Sequence, residues 1–155
     1  MSPWLRRLLR APRHLYRHRL GWLLGHRFLQ LSHQGRRTGR QHHTVLEVVR
    51  YDRATGEATV VSGFGARSDW FRNLQAGSEA VVSIGRSRAP ARYRIVDADE
   101  ATDVIADYER RAGLARPVVR AALSRLLGWP YDGSDDARRR LAVELPMVAF
   151  RPAHH

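Results

Sequence analysis

The chain contains no cysteine and no lysine. Without cysteine there is no disulfide framework, no thiolate nucleophile and no thiolate metal site, a composition that suits a reducing cytoplasm. No apolar run is long and charge-free enough to span a bilayer, and no clean apolar core followed by small residues marks a signal peptide. The Gly-x-Gly-x-x-Gly of a dinucleotide fold and the Gly-Lys-Ser/Thr ending of a P-loop are missing. So are the Ser/His/Asp order and the paired carboxylates of hydrolases. Internal repeats and low-complexity tracts are also lacking. At 155 residues the chain has the length of one domain with one core.

Acid is lacking at one end only. Residues 1–46 carry ten arginines and no carboxylate, so the net charge of +12 divides into +10 there and +2 in the rest. Nucleic acid, an anionic membrane surface and an anionic cofactor are the partners such a basic end suits. The interleaved aromatic and basic residues of a nucleic-acid reader are missing, so no nucleic acid is expected.

What the sequence does hold is an arginine-packed loop closed by two glycines, Gly35-Arg36-Arg37-Thr38-Gly39-Arg40, leading into the apolar run Thr44 to Val49. Glycines let backbone N–H groups turn toward a ligand, Thr38 adds a hydroxyl, and Arg36, Arg37 and Arg40 add charged forks. Phosphate is the natural guest, and a solvated basic turn is the plain alternative. A second element follows in Ser62-Gly63-Phe64-Gly65-Ala66-Arg67-Ser68-Asp69-Trp70-Phe71-Arg72-Asn73-Leu74. There a β-rich run ends in a glycine-punctuated loop, and Ser68 or Asp69 caps a short helix that Gly77 closes. The N-terminus of a helix is again suited to an anion or a carbonyl oxygen. The two elements flank a strand and can face one another across a cleft.

Strands are predicted near 43–51, 57–62, 79–84, 89–96 and 146–151, with turns at Asp52–Gly56 and Gly85–Ser87. Helices are predicted over 99–112, with Ala101, Val104, Ile105 and Tyr108 inward, over 117–128, and briefly from Ser134. Five or six antiparallel strands with late helices predict an α+β fold, a small antiparallel barrel with helical covers.

Gly35-Arg36-Arg37-Thr38-Gly39, Trp70-Phe71-Arg72-Asn73-Leu74 and the late apolar strand Pro146-Met147-Val148-Ala149-Phe150 resemble the deazaflavin-dependent nitroreductase family of split β-barrel oxidoreductases. The resemblance spans about residues 29 to 152. Where the family carries Pro-Arg after the second glycine, this chain has Arg40-Gln41-His42-His43-Thr44-Val45. The resemblance implies a split barrel over 29–155, preceded by an amphipathic helical segment over 1–28. It implies the 8-hydroxy-5-deazaflavin coenzyme F-420, whose phosphodiester and oligoglutamate tail suit the basic end, with FMN as the alternative. Hydride would pass from the reduced coenzyme to a small quinone-like, nitroaromatic or other electron-poor unsaturated acceptor, the activity of a quinone reductase. A non-catalytic binder of the cofactor is a further alternative, and monomer and homodimer both stay open. By the same resemblance Arg36, Arg37, Thr38, Gly39 and Arg40 hold phosphate and tail, with Thr44 beyond them. Ser62, Gly63, Phe64 and Gly65 approach the ring or linker, and Ser68, Asp69, Trp70 and Asn73 support that loop.

Other chemistry is sparse. His14 and His18 stand i, i+4 without a third ligand, among arginines that repel a cation, so no metal is expected. His42 and His43 point to opposite faces of a strand. Glu47 faces solvent or an arginine more readily than it serves as a base. Tyr108, Trp129 and Tyr131 line a pocket or pack as core rings, and the two tyrosines are the candidates for a proton donor.

Residues 3–10 and 12–26 are predicted helical on either side of Pro12, with a leucine stripe, Trp4 and Trp22, and arginines at 6, 7, 10, 13, 17 and 19. That composition fits an interfacial helix, and equally one that covers the barrel or a neighbouring subunit. On the interfacial reading the protein is peripheral to the inner face of the cell membrane. Full-length protein should then sediment with anionic vesicles and lose that attraction as salt rises, at about 1 kcal/mol per arginine near the surface. A 29–155 truncation should not sediment. Equal partitioning of the two, or none by either, removes the membrane role.

Overall fold

The computed structural model describes residues 26–63 and 65–153. The helices predicted over 3–10 and 12–26 lie, apart from His26, outside the described residues, as do His14, His18, Phe64, His154 and His155. Among the described residues no helix is long and apolar enough to cross a membrane.

Six strands form a closed barrel: β1 (Phe28–Gln34), β2 (Gln41–Tyr51), β3 (Ala58–Val61), β4 (Ala80–Ile84), β5 (Ser87–Ile95) and β6 (Met147–Pro152). The spatial order is β1-β2-β3-β6-β5-β4, and every pairing, including the closing one of β1 with β4, is antiparallel. Among the described residues four α-helices accompany it: α1 (Asp69–Gln75), α2 (Ala98–Ala112), α3 (Arg116–Leu127) and α4 (Asp135–Glu144). The predicted α+β barrel with helical covers is therefore the observed fold. β1 is an addition to the predicted strands. Its sequence FLQLSHQ alternates only Leu29, Leu31 and His33 inward among polar residues, and it merges into the arginine loop without a break.

The near-continuous apolar character of several strands has one cause, burial on both faces. In β2, Val48 enters the barrel core while its neighbour Val49 enters a second core outside the barrel. In β6, Val148 and Phe150 point in, and Met147 and Ala149 point out. Side chains alternate along a strand, so consecutive apolar residues serve opposite cores. The barrel interior joins Leu29, Leu31, Leu46, Val60, Val82 and Phe150 to Trp70, Phe71 and Leu74 of α1. The α1 helix is thus anchored by its apolar face, and the Tyr93 hydroxyl on β5 donates to the Leu74 carbonyl at its end, 2.8 Å away.

The second core packs α2 and α4 on the outer sheet face. Ala101, Val104 and Ile105 form the inward stripe of α2, met by Leu141 and Leu145 from the α4 end of the chain. Asp97 caps α2 by accepting from the Glu100 N–H at 2.8 Å, and Ser134 caps α4 through the Ala137 N–H at 3.2 Å. By contrast α3, ended by Gly128 at φ +79°, contains no buried residue. Val118 and Leu126 on it are 70% and 47% exposed.

Within the helical layer Glu109 is buried, and its carboxylate binds Arg138 of α4 at 2.6 Å and Arg120 of α3 at 3.5 Å. One carboxylate so ties three helices. Removing it takes the buried partner from Arg120 and from Arg138, the latter 19% exposed and left with Asp135 at 3.6 Å, a loss on the order of 3–5 kcal/mol for a buried pair. Glu109→Ala should lower the urea midpoint by a corresponding amount with an unchanged slope, and an unchanged midpoint would show that the clasp carries no stability.

Candidate functional site

Strand register delivers the arginine loop to α1. β1 and β2 pair from Phe28 opposite Glu47 to Gln34 opposite Gln41, which leaves 35–40 as the hairpin turn. Gly39 adopts φ +69°, where an L side chain is strained, and a Cβ at Gly35 would approach Thr38 Oγ1 to 3.0 Å. Much of the turn's backbone is already engaged. Gly35 N–H donates to the Arg40 carbonyl at 2.8 Å, Gly39 N–H to the Gly35 carbonyl at 2.9 Å, and Arg40 N–H to Thr38 Oγ1 at 3.3 Å. Arg36 N–H donates to Asn73 Oδ1 at 3.1 Å.

The three guanidinium groups divide. Arg36 turns toward α1, where it donates to Asn73 Oδ1 at 2.9 Å and to Asp69 Oδ1 at 3.3 Å. Arg37 and Arg40 are exposed and make no ion pair among the described residues. Arg36 therefore joins the two predicted elements, while the outward charge of the turn rests on Arg37 and Arg40.

Asn73 is 2% exposed, and its amide is spent in both directions. Its carbonyl oxygen takes the two Arg36 donors, and its Nδ2 donates to His33 Nδ1 at 2.9 Å. An amide nitrogen only donates, so His33 Nδ1 must accept. The ring is then neutral with its proton on Nε2, which donates to Thr44 Oγ1 at 3.3 Å. Burial first, and then the nearby His42 and His43, hold the His33 pKa below its ordinary value. The site prediction includes Asn73 and Thr44 but not the histidine between them. The one signal for it was its place on the Leu29, Leu31 face of the strand. His42 stacks on His33 with centroids 5.7 Å apart, whereas His43 Nδ1 lies 2.8 Å from Ser32 Oγ, so the two adjacent histidines do take opposite faces.

In the second loop Ser62 is fully buried. Its N–H donates to the Pro146 carbonyl at 2.8 Å, its carbonyl accepts from Gly65 N–H at 2.9 Å, and its hydroxyl donates to the Gly65 carbonyl at 2.6 Å. That hydroxyl has one proton, so the 2.7 Å contact with Ser68 Oγ is a bond donated by Ser68. Ser68 is the N-cap of α1, yet its side chain makes no cap bond, having turned inward to Ser62. Gly65 sits at φ +68° with Glu144 carbonyl 3.1 Å from where a Cβ would be. Ser62, Gly65 and Ser68 thus shape the loop from within, and Gly63 is left at its surface.

Gly63 lines an apolar cavity of about 410 Å³ between the sheet and α3, with Val61, Ile105, Val119, Leu123 and Leu126 among its walls. Its polar feature is the Tyr108 hydroxyl, which donates to Glu47 Oε1 at 2.5 Å. Burial and then that bond push the Tyr108 pKa up to about 12. The same pair borders a larger groove lined by His26, Arg27, Arg53 and Arg111. Tyr131 lies elsewhere, 4% exposed in the helical core, and its hydroxyl has no partner of hydrogen-bond geometry among the described residues. Burial and then the Glu109 charge raise its pKa to about 12 as well. Of the two candidate tyrosines, Tyr108 faces this cavity and Tyr131 does not line it. Trp129 stays at the surface, its Nε1 donating to Glu144 at 2.7 Å under the Arg140 guanidinium.

The closed antiparallel barrel with its helical cover is the split-barrel class. Residues 8–128 match the model of the F420H(2)-dependent quinone reductase family, and the chain belongs to that family of deazaflavin-dependent oxidoreductases. No curated protein gives a significant match. Among solved structures, an F420-H2 dependent reductase is 16% identical with a TM-score of 0.52, over 81% of this chain and 94% of that one. A protein of unknown function from Agrobacterium tumefaciens is 15% identical with a TM-score of 0.53, over 99% of this chain and 58% of that one. A Clostridium acetobutylicum protein related to general stress protein 26, of the pyridoxinephosphate oxidase family, is 7% identical with a TM-score of 0.50, over 90% and 84%. At such identities these structures establish the shared fold.

Trp70 is 6% exposed and meets Phe71 edge-on at 5.9 Å and Phe150 at 6.4 Å. It anchors α1, and through α1 the Asn73 end of the cleft. Trp70→Ala should lower both the melting temperature and cofactor affinity, with a stability loss of about 3–5 kcal/mol. Loss of binding at unchanged stability would instead make Trp70 a ligand contact.

Proposed function

We propose that this protein uses reduced coenzyme F-420 to reduce a quinone-like, nitroaromatic or other electron-poor unsaturated acceptor, with phosphate and tail held at the 35–40 turn. The observation that carries the reading is a junction: Arg36 fastens the turn to the start of α1, and the loop before α1 opens at Gly63 onto the apolar cavity. An anion site and an apolar site so share one connecting loop. The donor set fits the coenzyme, since Arg37 and Arg40 are outward and unpaired among the described residues while the cavity lies in the size range of small-molecule pockets.

When bound, the deazaflavin supplies the hydride. The protein's part is to bind, orient and exclude water. Arg37, Arg40 and Thr38 hold the phosphate and the carboxylates of the tail. Gly63, which bears no side chain, permits a flat ring close approach, and Val61, Ile105 and Leu123 exclude water. Tyr108 positions more than it donates: a hydroxyl with a raised pKa, already committed to Glu47, releases its proton reluctantly, so the proton that completes reduction of the acceptor comes from solvent. FMN is the competing cofactor and a non-catalytic binder the competing role.

Arg37→Ala should weaken F-420 binding roughly ten- to a hundredfold in a fluorescence titration, the cost of one charge-assisted contact. An unchanged dissociation constant removes the turn from the cofactor site. Tighter binding of FMN than of F-420 by the intact protein removes the cofactor assignment, and binding of F-420 without turnover of any quinone or nitroaromatic leaves a carrier.

A further inference from the structure

Between the arginine turn and the barrel lies a linear chain of four side chains, Thr44 on β2, His33 on β1, Asn73 on α1 and Arg36 in the turn. Its links are 3.3 Å, 2.9 Å and 2.9 Å, and a second link of 3.1 Å runs from the Arg36 backbone N–H to the same Asn73 oxygen. Asn73 and His33 are 2% and 3% exposed. Every polar atom of the Asn73 amide that faces the turn depends on the orientation of that amide. Rotated by half a turn, it would present Nδ2 to the Arg36 guanidinium, donor against donor.

His33 fixes the orientation. Its unprotonated Nδ1 accepts from Asn73 Nδ2 and so leaves Oδ1 to face Arg36. We propose that His33, through Asn73 and Arg36, is a positioning residue that sets the affinity of the arginine turn for a phosphate-bearing cofactor, and that only its neutral form does so. The inference rests on the reading of the 35–40 turn as the phosphate site.

Protonation of His33 puts a hydrogen on Nδ1, opposes the Asn73 N–H, and places a cation beside the buried amide. The charged and titratable groups around the ring are His42 of β2, stacked on it, His43 on the opposite face of the same strand, Asp69 from α1, and Arg36 from the turn, linked to it through Asn73. Asp69 alone favours the charged ring, and burial outweighs it. With the folded pKa below 6.5, the neutral ring's contribution to stability is whole above about pH 6.5 and falls as pH drops toward the folded value.

Two substitutions separate these effects. His33→Asn keeps an acceptor at the Nδ1 position and does not titrate. His33→Leu removes the acceptor. At pH 7.5 His33→Asn should bind F-420 within about twofold of the wild type and His33→Leu should bind roughly five- to tenfold more weakly, as for one lost neutral hydrogen bond. Between pH 7.5 and 5 the affinity of the wild type relative to His33→Asn should fall by a similar factor, a ratio in which titration of the ligand cancels.

The protein without cofactor gives an independent readout. Ring 15N shifts at pH 7.5 should show His33 protonated at Nε2 alone, and the Arg36 amide should exchange with solvent several-fold faster in His33→Leu than in the wild type or in His33→Asn. A ring protonated at Nδ1, or Arg36 exchange unchanged in His33→Leu, overturns the proposal. So does a wild-type acid limb retained in His33→Asn, or full affinity in His33→Leu while Arg37→Ala binds weakly. If Arg37→Ala binds normally too, the phosphate reading of the turn has failed, and the exchange and shift data still judge the orientation of Asn73.

Discussion

The strict alternation of β2 and β6 between two dry compartments is the constraint on which the remainder of the molecule hangs. Val48 and Val49, and likewise Met147 and Val148, are neighbours in sequence that belong to different cores. A slip of one residue in either strand would exchange the two sets at once, emptying both compartments. The lone irregularity, where the β2 register against β3 shifts between Val48 and Arg50, lies beyond the stretch that pairs with β1. The hairpin that presents the arginine turn is consequently held in fixed register, with His33 opposite His42.

On that rigid base the site separates attachment from ligand capture within a single six-residue turn. Four of its backbone N–H groups are consumed by Arg40, Gly35, Thr38 and Asn73, so the turn is no nest of free amides. What it offers outward is the charge of two long, exposed side chains. On the proposed reading these two side chains would attract the phosphate and the carboxylate tail through charge and adapt to them in geometry. Precision enters farther along, where Ser62 uses every polar atom it has to hold the loop that ends at α1.

The fold was largely legible because its signals are local. Turn glycines, apolar alternation, Ser134 before its helix and Gly128 after one are all read within a few residues. β1 escaped because only three inward residues mark it and one of them is a histidine. In the site, the two glycine loops and the Trp70 to Leu74 helix were visible as motifs. The destination of each polar atom was not, since Arg36 meets Asn73 across 37 residues and Glu47 meets Tyr108 across 61. Ser62, expected to approach the ring or linker, is fully buried. Sequence spacing says which side chains are available, and the tertiary fold decides which are already taken.

The α3 helix roofs the apolar cavity and yet has no residue fully withdrawn from solvent. Regions with little buried apolar contact open at a small fraction of the free energy that unfolds a core. The cavity is bounded on one side by the sheet and on the other by Ile105 and Tyr108 of α2, by Leu141 and Leu145, and by α3, which lies between Gly113 and Gly128, both at positive φ. Of these walls α3, with the least buried apolar surface, is the one that local opening would reach first.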